Sequence, residues 1–281
     1  MVHTSPVINP LKRGGPAAPV EPTDPEVPRP FTAVAKPELT GGRRIGVLLQ
    51  HGFTGSPYSM KPWGRALAEK GYAVEVPLLP GHGTQWQDLN SLGWKDWYAE
   101  TSRAFEKLRD ENDAVVVGGL SMGGSLVLRL AADHPDAVAG IVLVNPAVNT
   151  ARLDVRALPV LKWLVPSFPG IANDIKKPGV EELGYSRTPL KAADSMMREG
   201  WRPLRADLAR ITAPLLFFKS TVDHVVDPTS LEIIRSNVSS RDFTERMLSE
   251  SYHVATLDND AQAIFDESAD FVRRVASADA G

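Results

Sequence analysis

The first 37 residues carry no apolar period. Prolines stand at positions 6, 10, 16, 19, 22, 25, 28, 30 and 37. Proline removes backbone donors, and the stretch has too little apolar mass to build a core. It reads as an extended arm, in part polyproline-like, that holds neither a helix nor a ladder. Such an arm is either a flexible tail or a strap over the body or a partner, with Val20, Val27 and Phe31 as anchors. From residue 44 the pattern becomes regular. RIGVLLQ (44–50), YAVEVP (72–77), DAVVVGG (113–119), AGIVLVNP (139–146) and APLLFFKS (213–220) are short, near-continuous apolar runs. Such runs predict strands covered on both faces. A further strand is expected over 243–248. Helical spacing appears between them. Residues 57–70 carry Trp63, Ala66 and Leu67, with Gly71 as the stop. Residues 94–109 place Trp94, Trp97, Tyr98, Thr101, Phe105 and Leu108 on one side. Helices are also expected over 124–133, 228–237 and 258–275.

Strands alternating with helices predict parallel βαβ units and an α/β domain. The alternation stops near Pro146. Residues 147–205 are irregular, with prolines at 159, 166, 169, 178, 189 and 203. No internal repeat is visible. The expected organisation is an arm over 1–37, then one domain over 38–281 interrupted by a small cap at about 147–205.

Composition narrows the function classes. Of 281 residues, 43% are hydrophobic and 23% charged, as in an ordinary globular protein. A net charge of −3 argues against a nucleic-acid partner. No run approaches the roughly 18 apolar residues of a membrane span. No secretory apolar region follows a basic start, so a cytoplasmic protein is expected. The chain has no cysteine, which excludes disulfides, thiolate metal sites and cysteine nucleophiles. No metal or cofactor is expected.

The candidate chemistry centres on GGLSMGGS, residues 118–125, directly after an apolar run. Gly119-Leu120-Ser121-Met122-Gly123 matches G-x-S-x-G between a predicted strand and a predicted helix. A serine on so sharp a turn needs small neighbours, which also clear space for a substrate carbonyl. The helix N-terminus points at the same place. Ser121 is therefore the expected nucleophile, and it needs a base. Of six histidines, His3 lies in the arm and His134 at a helix end. His51 is expected to brace the loop QHGFTGSP, and His82 to sit in the tight turn PGHG. His224 adjoins a candidate acid. His253, after the last predicted strand, falls on the sheet edge where open α/β folds collect their sites, and is the expected base. Asp223, after PLLFFKST, is the expected acid, and the chain order Ser121, Asp223, His253 suits the motif. Asp227 and Asp258 compete, the first as the cap of the helix after Pro228, the second as the cap of the last helix. The Met122 and Phe53 N–H groups are the expected oxyanion donors.

HGFTGSP, PLLPGHG, GLSMGG, DHVVDP and SYHVATLD together resemble the α/β-hydrolase superfamily, and within it bacterial carboxylesterases and monoacylglycerol lipases. The likeness covers about residues 44–276. It implies a mostly parallel sheet with helices on both faces and a small cap over an acyl pocket. It also implies Ser121, Asp223 and His253 as triad, with Phe53 and Met122 as oxyanion donors. Ser220 departs from the pattern, since many relatives carry glycine three residues before the acid. A serine nucleophile excludes the relatives that use aspartate, the dehalogenases and epoxide hydrolases.

The cap segment offers Leu158, Val160, Leu161, Trp163, Leu164, Val165, Phe168 and Ile171, then Met196, Met197 and Trp201. Most are expected to pack cap against body, and some to line an apolar acyl channel. The expected substrate is an ester with a lipophilic acyl part, such as a monoacylglycerol, with peripheral lipid contact as a further expectation. The alternatives are a thioesterase or acyltransferase on the same triad, or a ligand-binding protein that has lost turnover.

Overall fold

Ile45–Gln50 and Ala114–Leu120 have no exposed face; every residue in both is buried. Strands of this kind are stable only between two layers of helix, and that sandwich is what forms. The structure is a computed structural model that describes residues 27–278 except 153, 171 and 172. Its strands are β1 (Phe31–Ala33), β2 (Ile45–Gln50), β3 (Ala73–Val76), β4 (Ala114–Leu120), β5 (Gly140–Val144), β6 (Ser167–Pro169), β7 (Arg187–Pro189), β8 (Leu215–Ser220) and β9 (Phe243–Leu248). Its helices are α1 (Lys61–Glu69), α2 (Trp86–Leu89), α3 (Trp94–Glu111), α4 (Met122–Asp133), α5 (Leu158–Leu161), α6 (Leu190–Ser195), α7 (Arg202–Asp207), α8 (Thr229–Asn237) and α9 (Ala261–Ala278).

Among the described residues, seven strands form one sheet in the order β1-β3-β2-β4-β5-β8-β9. All neighbours are parallel except β1, which runs antiparallel to β3. Trp63 and Leu67 of α1 pack on one face with Ile264, Phe271 and Val272 of α9. Phe105 and Leu108 of α3, Val127 and Leu130 of α4, Leu204 of α7 and Ile234 of α8 cover the other. Helix α4 lies deepest: Met122 through Ala132 are all buried, as expected of a helix that is apolar on nearly every side. Its one cation, Arg129, is held by Asp133 and by Asp207 of α7.

Two expectations need correction. The arm does enter a ladder: Phe31, Thr32 and Ala33 pair with Val76, Glu75 and Val74. Phe31 lies against the space left by Gly64, and Pro28 covers Gly83. Proline is tolerated just ahead of an edge strand, because the outer N–H groups have no neighbour to serve. The Val27 carbonyl accepts from Lys61 Nζ at 3.2 Å. Val20 lies outside the described residues. The cap is also more ordered than its prolines suggest. It holds the antiparallel pair β6–β7 and a run from α6 through a π-helical turn, Met196–Trp201, into α7.

Candidate active site

The sheet places four loops on one edge: those after β2, β4, β8 and β9. They carry Phe53, Ser121, Asp223 and His253 respectively. Ser121 follows the last residue of β4 and adopts φ 54°, ψ −120°. A non-glycine residue rarely enters that region, and doing so costs about 1–3 kcal/mol. The strain is held from both sides. Ser121 N–H donates to Val144 O at 3.1 Å, and Ser121 O accepts from Gly124 N–H and Ala147 N–H. The glycines are needed for close approach. A Cβ on Gly119 would overlap the Gly123 carbonyl, and one on Gly123 would overlap the Gln50 carbonyl oxygen. Small residues thus let α4 start almost in contact with β2. The Met122 N–H opens α4, where no carbonyl one turn back can accept it. Among the described residues the Phe53 N–H has no acceptor either.

His253 is buried, and its Nδ1 lies 3.1 Å from Asp223 Oδ1 and 3.2 Å from Oδ2. Nδ1 is therefore the protonated nitrogen of the neutral ring, leaving Nε2 as the free base. Ser121 and His253 line the same cavity. Oγ and ring do not hydrogen-bond to each other in this resting arrangement; such contacts commonly tighten only with substrate. The Asp223 carboxyl is densely served. Oδ1 accepts the N–H groups of Val225 and Val226 at 3.0 and 2.8 Å, and Oδ2 accepts Lys219 Nζ at 2.6 Å. Burial alone would push this carboxyl up. The His253 charge and hydrogen bond, followed by Lys219, outweigh it and hold it below the ordinary carboxylate range.

The competing acids do other work. Asp227 accepts Thr229 N–H at the start of α8, as expected of a helix-start residue, and also Ala151 N–H. Asp258 does not cap α9 with its side chain, a correction to the expectation. It accepts the N–H groups of Lys176, Lys177, Tyr252 and Asn259, tying the cap to the His253 loop. His51 braces its loop: Nδ1–H donates to Gly52 O at 2.9 Å and Nε2 accepts Leu79 N–H at 3.1 Å. Burial lowers its pKa to about 4. His82 is buried against His51, Trp97 and Tyr185.

These shifts set a pH dependence of stability. Between about pH 6.5 and 4 the unfolded chain protonates His51 while the folded chain does not, so stability falls as pH falls through that window. Asp223 adds to the loss from about pH 5 downward, where the unfolded carboxyl begins to protonate and the folded one resists. The melting temperature should decline from about pH 6.5 downward and steepen below about 5. A melting temperature constant from pH 7 to 4 would contradict a neutral, buried His51.

Three site residues escaped the sequence reading. Lys219 is one. Asp174, in the cap, is the second. Its Oδ2 accepts the backbone N–H of both His224 and His253 at 3.1 Å, and its Oδ1 lies 2.6 Å from His224 Nδ1. The Asp174 carboxylate therefore pins the loops of Asp223 and His253 together. Glu182, on the cavity wall, is the third. Burial raises its pKa, against the opposing pull of the His253 charge. No local pattern marks any of the three. Ser220, the departure from the family pattern, has a visible role: its hydroxyl donates to Tyr252 O at 2.7 Å and accepts from Asn145 Nδ2 at 2.9 Å. Asn145 Nδ2 also reaches His253 O at 2.8 Å, so the side chain joins β8 to the His253 loop.

The cavity has a volume of about 240 Å³. Leu158, Leu161, Phe168, Met196, Met197 and Trp201 supply its apolar wall. The other cap residues divide. Val165 packs beside Leu158 and Leu190. Val160, Trp163 and Leu164 point away, with 68%, 71% and 76% of their surface exposed, and so pack against nothing in the body. Ile171 lies outside the described residues.

The Hydrolase_4 model, described as serine aminopeptidase S33, matches residues 42–260. A thermostable monoacylglycerol lipase of Bacillus sp. (strain H-257) is 39% identical over 86% of this chain and 96% of its own length. A carboxylesterase of Bacillus subtilis (strain 168) is 28% identical over 88% and 97%. A solved structure from work on LipS and LipT, two metagenome-derived lipolytic enzymes, superposes with a TM-score of 0.83 at 36% identity, covering 91% of this chain and 99% of that one. No described helix is long and apolar enough to cross a membrane. With a match over most of its length and a mostly parallel seven-strand sheet covered by helices, the chain belongs to the Hydrolase_4 family of the α/β-hydrolase superfamily.

Proposed function

We propose that the chain is a carboxylic ester hydrolase in which Ser121, His253 and Asp223 act as nucleophile, base and acid on esters with a lipophilic acyl part, monoacylglycerols or medium-chain esters. The observation that carries this reading is the cavity: Ser121 and His253 open together into a space walled by Leu158, Phe168, Met196 and Trp201. Ser121 Oγ attacks the ester carbonyl as His253 Nε2 takes its proton. The Phe53 and Met122 N–H groups hold the oxyanion. His253 then gives the proton to the departing alcohol, and water releases the acid by the same steps in reverse. Because Nε2 must be free, the rate falls as acid protonates the ring.

Polar side chains on the cavity wall, among them Thr54, Asn149, Thr150, Glu182 and Thr188, suit an alcohol that carries hydroxyls. Glu182, pushed toward its protonated form, can both donate to and accept from a hydroxyl. The family description names an aminopeptidase, which would need a carboxylate for a substrate ammonium. Asp174 is already occupied by three donors, and burial disfavours the Glu182 anion, so an ester suits the site better.

A panel of p-nitrophenyl esters, monoacylglycerols, acyl thioesters and aminoacyl p-nitroanilides tests the reading, with Ser121→Ala as blank. Each methylene buried contributes about 0.8 kcal/mol, or about fourfold. From acetate to octanoate, kcat/KM should rise at least tenfold (~1.4 kcal/mol), even if most of that gain is lost to chain ordering. A flat or falling profile argues against an acyl channel. Preference for thioesters or anilides replaces the ester assignment. Failure to label with a fluorophosphonate leaves a non-catalytic binder.

A further inference from the structure

Lys219 stands four residues before Asp223, inside β8, and is buried, with 7% of its surface exposed. Its Nζ donates to Asp223 Oδ2 at 2.6 Å and to Val226 O at 3.0 Å. Burying an ammonium costs several kcal/mol unless it is well paired, and a leucine or methionine would fill the same space without that cost. The carboxylate that serves His253 therefore serves a cation as well. In a triad the acid steadies the imidazolium and so raises the proton affinity of the ring. A cation on the same carboxylate offsets part of that pull.

We infer that Lys219 is a positioning residue that acts through Asp223 to set the pH below which His253 ceases to act as a base. The inference rests on the triad reading above. The other charged groups around the cluster come from four places. His224 and Asp227 flank Asp223 on its own loop, Asp174 reaches in from the cap onto His224 and the His253 backbone, Glu182 faces His253 across the cavity, and Arg152 lines the same cavity. Lys219 is the lysine that hydrogen-bonds to Asp223 beside His253. Asp227 feels the Lys219 charge but hydrogen-bonds to Thr229 and Ala151 instead. Removing the lysine leaves Asp223 with two backbone N–H donors and His253, enough to keep it ionised.

The test is the pH profile of kcat/KM for the ester that the wild-type protein cleaves best, measured on Lys219→Met, Lys219→Gln and Lys219→Arg. Both uncharged variants should move the acidic limb upward by about one pH unit, and arginine should restore it to within about 0.3 unit. A lysine that only stapled the loop would lower the rate equally at every pH. It would also be replaced at least as badly by the larger arginine as by methionine. Unmoved limbs, or equal shifts in all three variants, overturn the inference. So does failure of both uncharged variants to fold while arginine folds, because the lysine would then belong to the loop's stability. A wild-type protein that cleaves no ester under Ser121 control sinks the triad reading instead, so the two failures are distinguishable.

Discussion

Ser121→Ala should lower kcat by about five to six orders of magnitude and leave the melting temperature within about 2 °C of the wild-type value. The activity loss follows from chemistry. Without Oγ nothing forms the acyl-enzyme, and His253 and Asp223 have no proton to move, so removing the nucleophile costs about as much as removing the whole triad. The unchanged stability follows from backbone geometry. Alanine at φ 54°, ψ −120° is as strained as serine, and the hydrogen bonds that hold the turn run through the backbone N–H and C=O of residue 121. Ser121→Gly separates the two effects. It should be equally inactive yet melt higher than Ser121→Ala, because glycine adopts positive φ without the ~1–3 kcal/mol penalty. Steady-state rates with the preferred ester and thermal unfolding check both halves. Residual activity above about one part in a thousand would mean that another group does the attacking.

Gly123→Ala should be the most damaging single methyl group near the site. The added Cβ would overlap Gln50 O and lie 2.6 Å from the Gln50 carbonyl carbon and 2.7 Å from His51 O. These are backbone atoms of the interior strand β2 and its loop, with no rotamer to turn away. Relief requires α4 to lift off the sheet, and α4 is buried along nearly its whole length. Overpacking that cannot relax costs ~3 kcal/mol or more. For a domain of this size that corresponds to a fall of about 6–12 °C in melting temperature. The same movement would part Met122 from the loop that carries Phe53, so activity should fall further than the melt alone explains. Thermal unfolding beside Ser121→Ala, which isolates chemistry from packing, is the measurement. A melting temperature within about 2 °C of wild type would mean that the start of α4 is not pressed on β2.

How much of this was legible beforehand depends on where the governing forces lie along the chain. The buried strands, the amphipathic α3 and the order of β and α elements were readable, because a strand between two helical layers needs an unbroken apolar run and a half-buried helix needs one stripe. The serine turn was readable for the same reason: Gly119 and Gly123 stand within two residues of the atom they make room for. His253 and Asp223 were singled out by topology, since a parallel sheet sends the end of every strand to one edge, and the structure brings the two side chains into contact. Element ends were less legible. Helix α4 starts at Met122 rather than 124, because Gly123 and Gly124 are admitted by contacts with Gln50 and Pro146 that outweigh glycine's poor helix propensity.

The amino-acid sequence by itself determined the parallel sheet and the turn at Ser121, because each rests on periodicity or on the backbone needs of adjacent residues. The tertiary structure alone decided that Asp174 ties the His224 and His253 loops together, that Lys219 shares the carboxylate of Asp223, that Glu182 faces the cavity, and that Val160, Trp163 and Leu164 are largely exposed while Leu158 and Phe168 line the cavity. The physical reason is distance along the chain. A hydrogen bond between residues 174 and 253, or the side of a cap helix that meets the cavity, depends on how separate elements pack, and no local pattern of side chains encodes it.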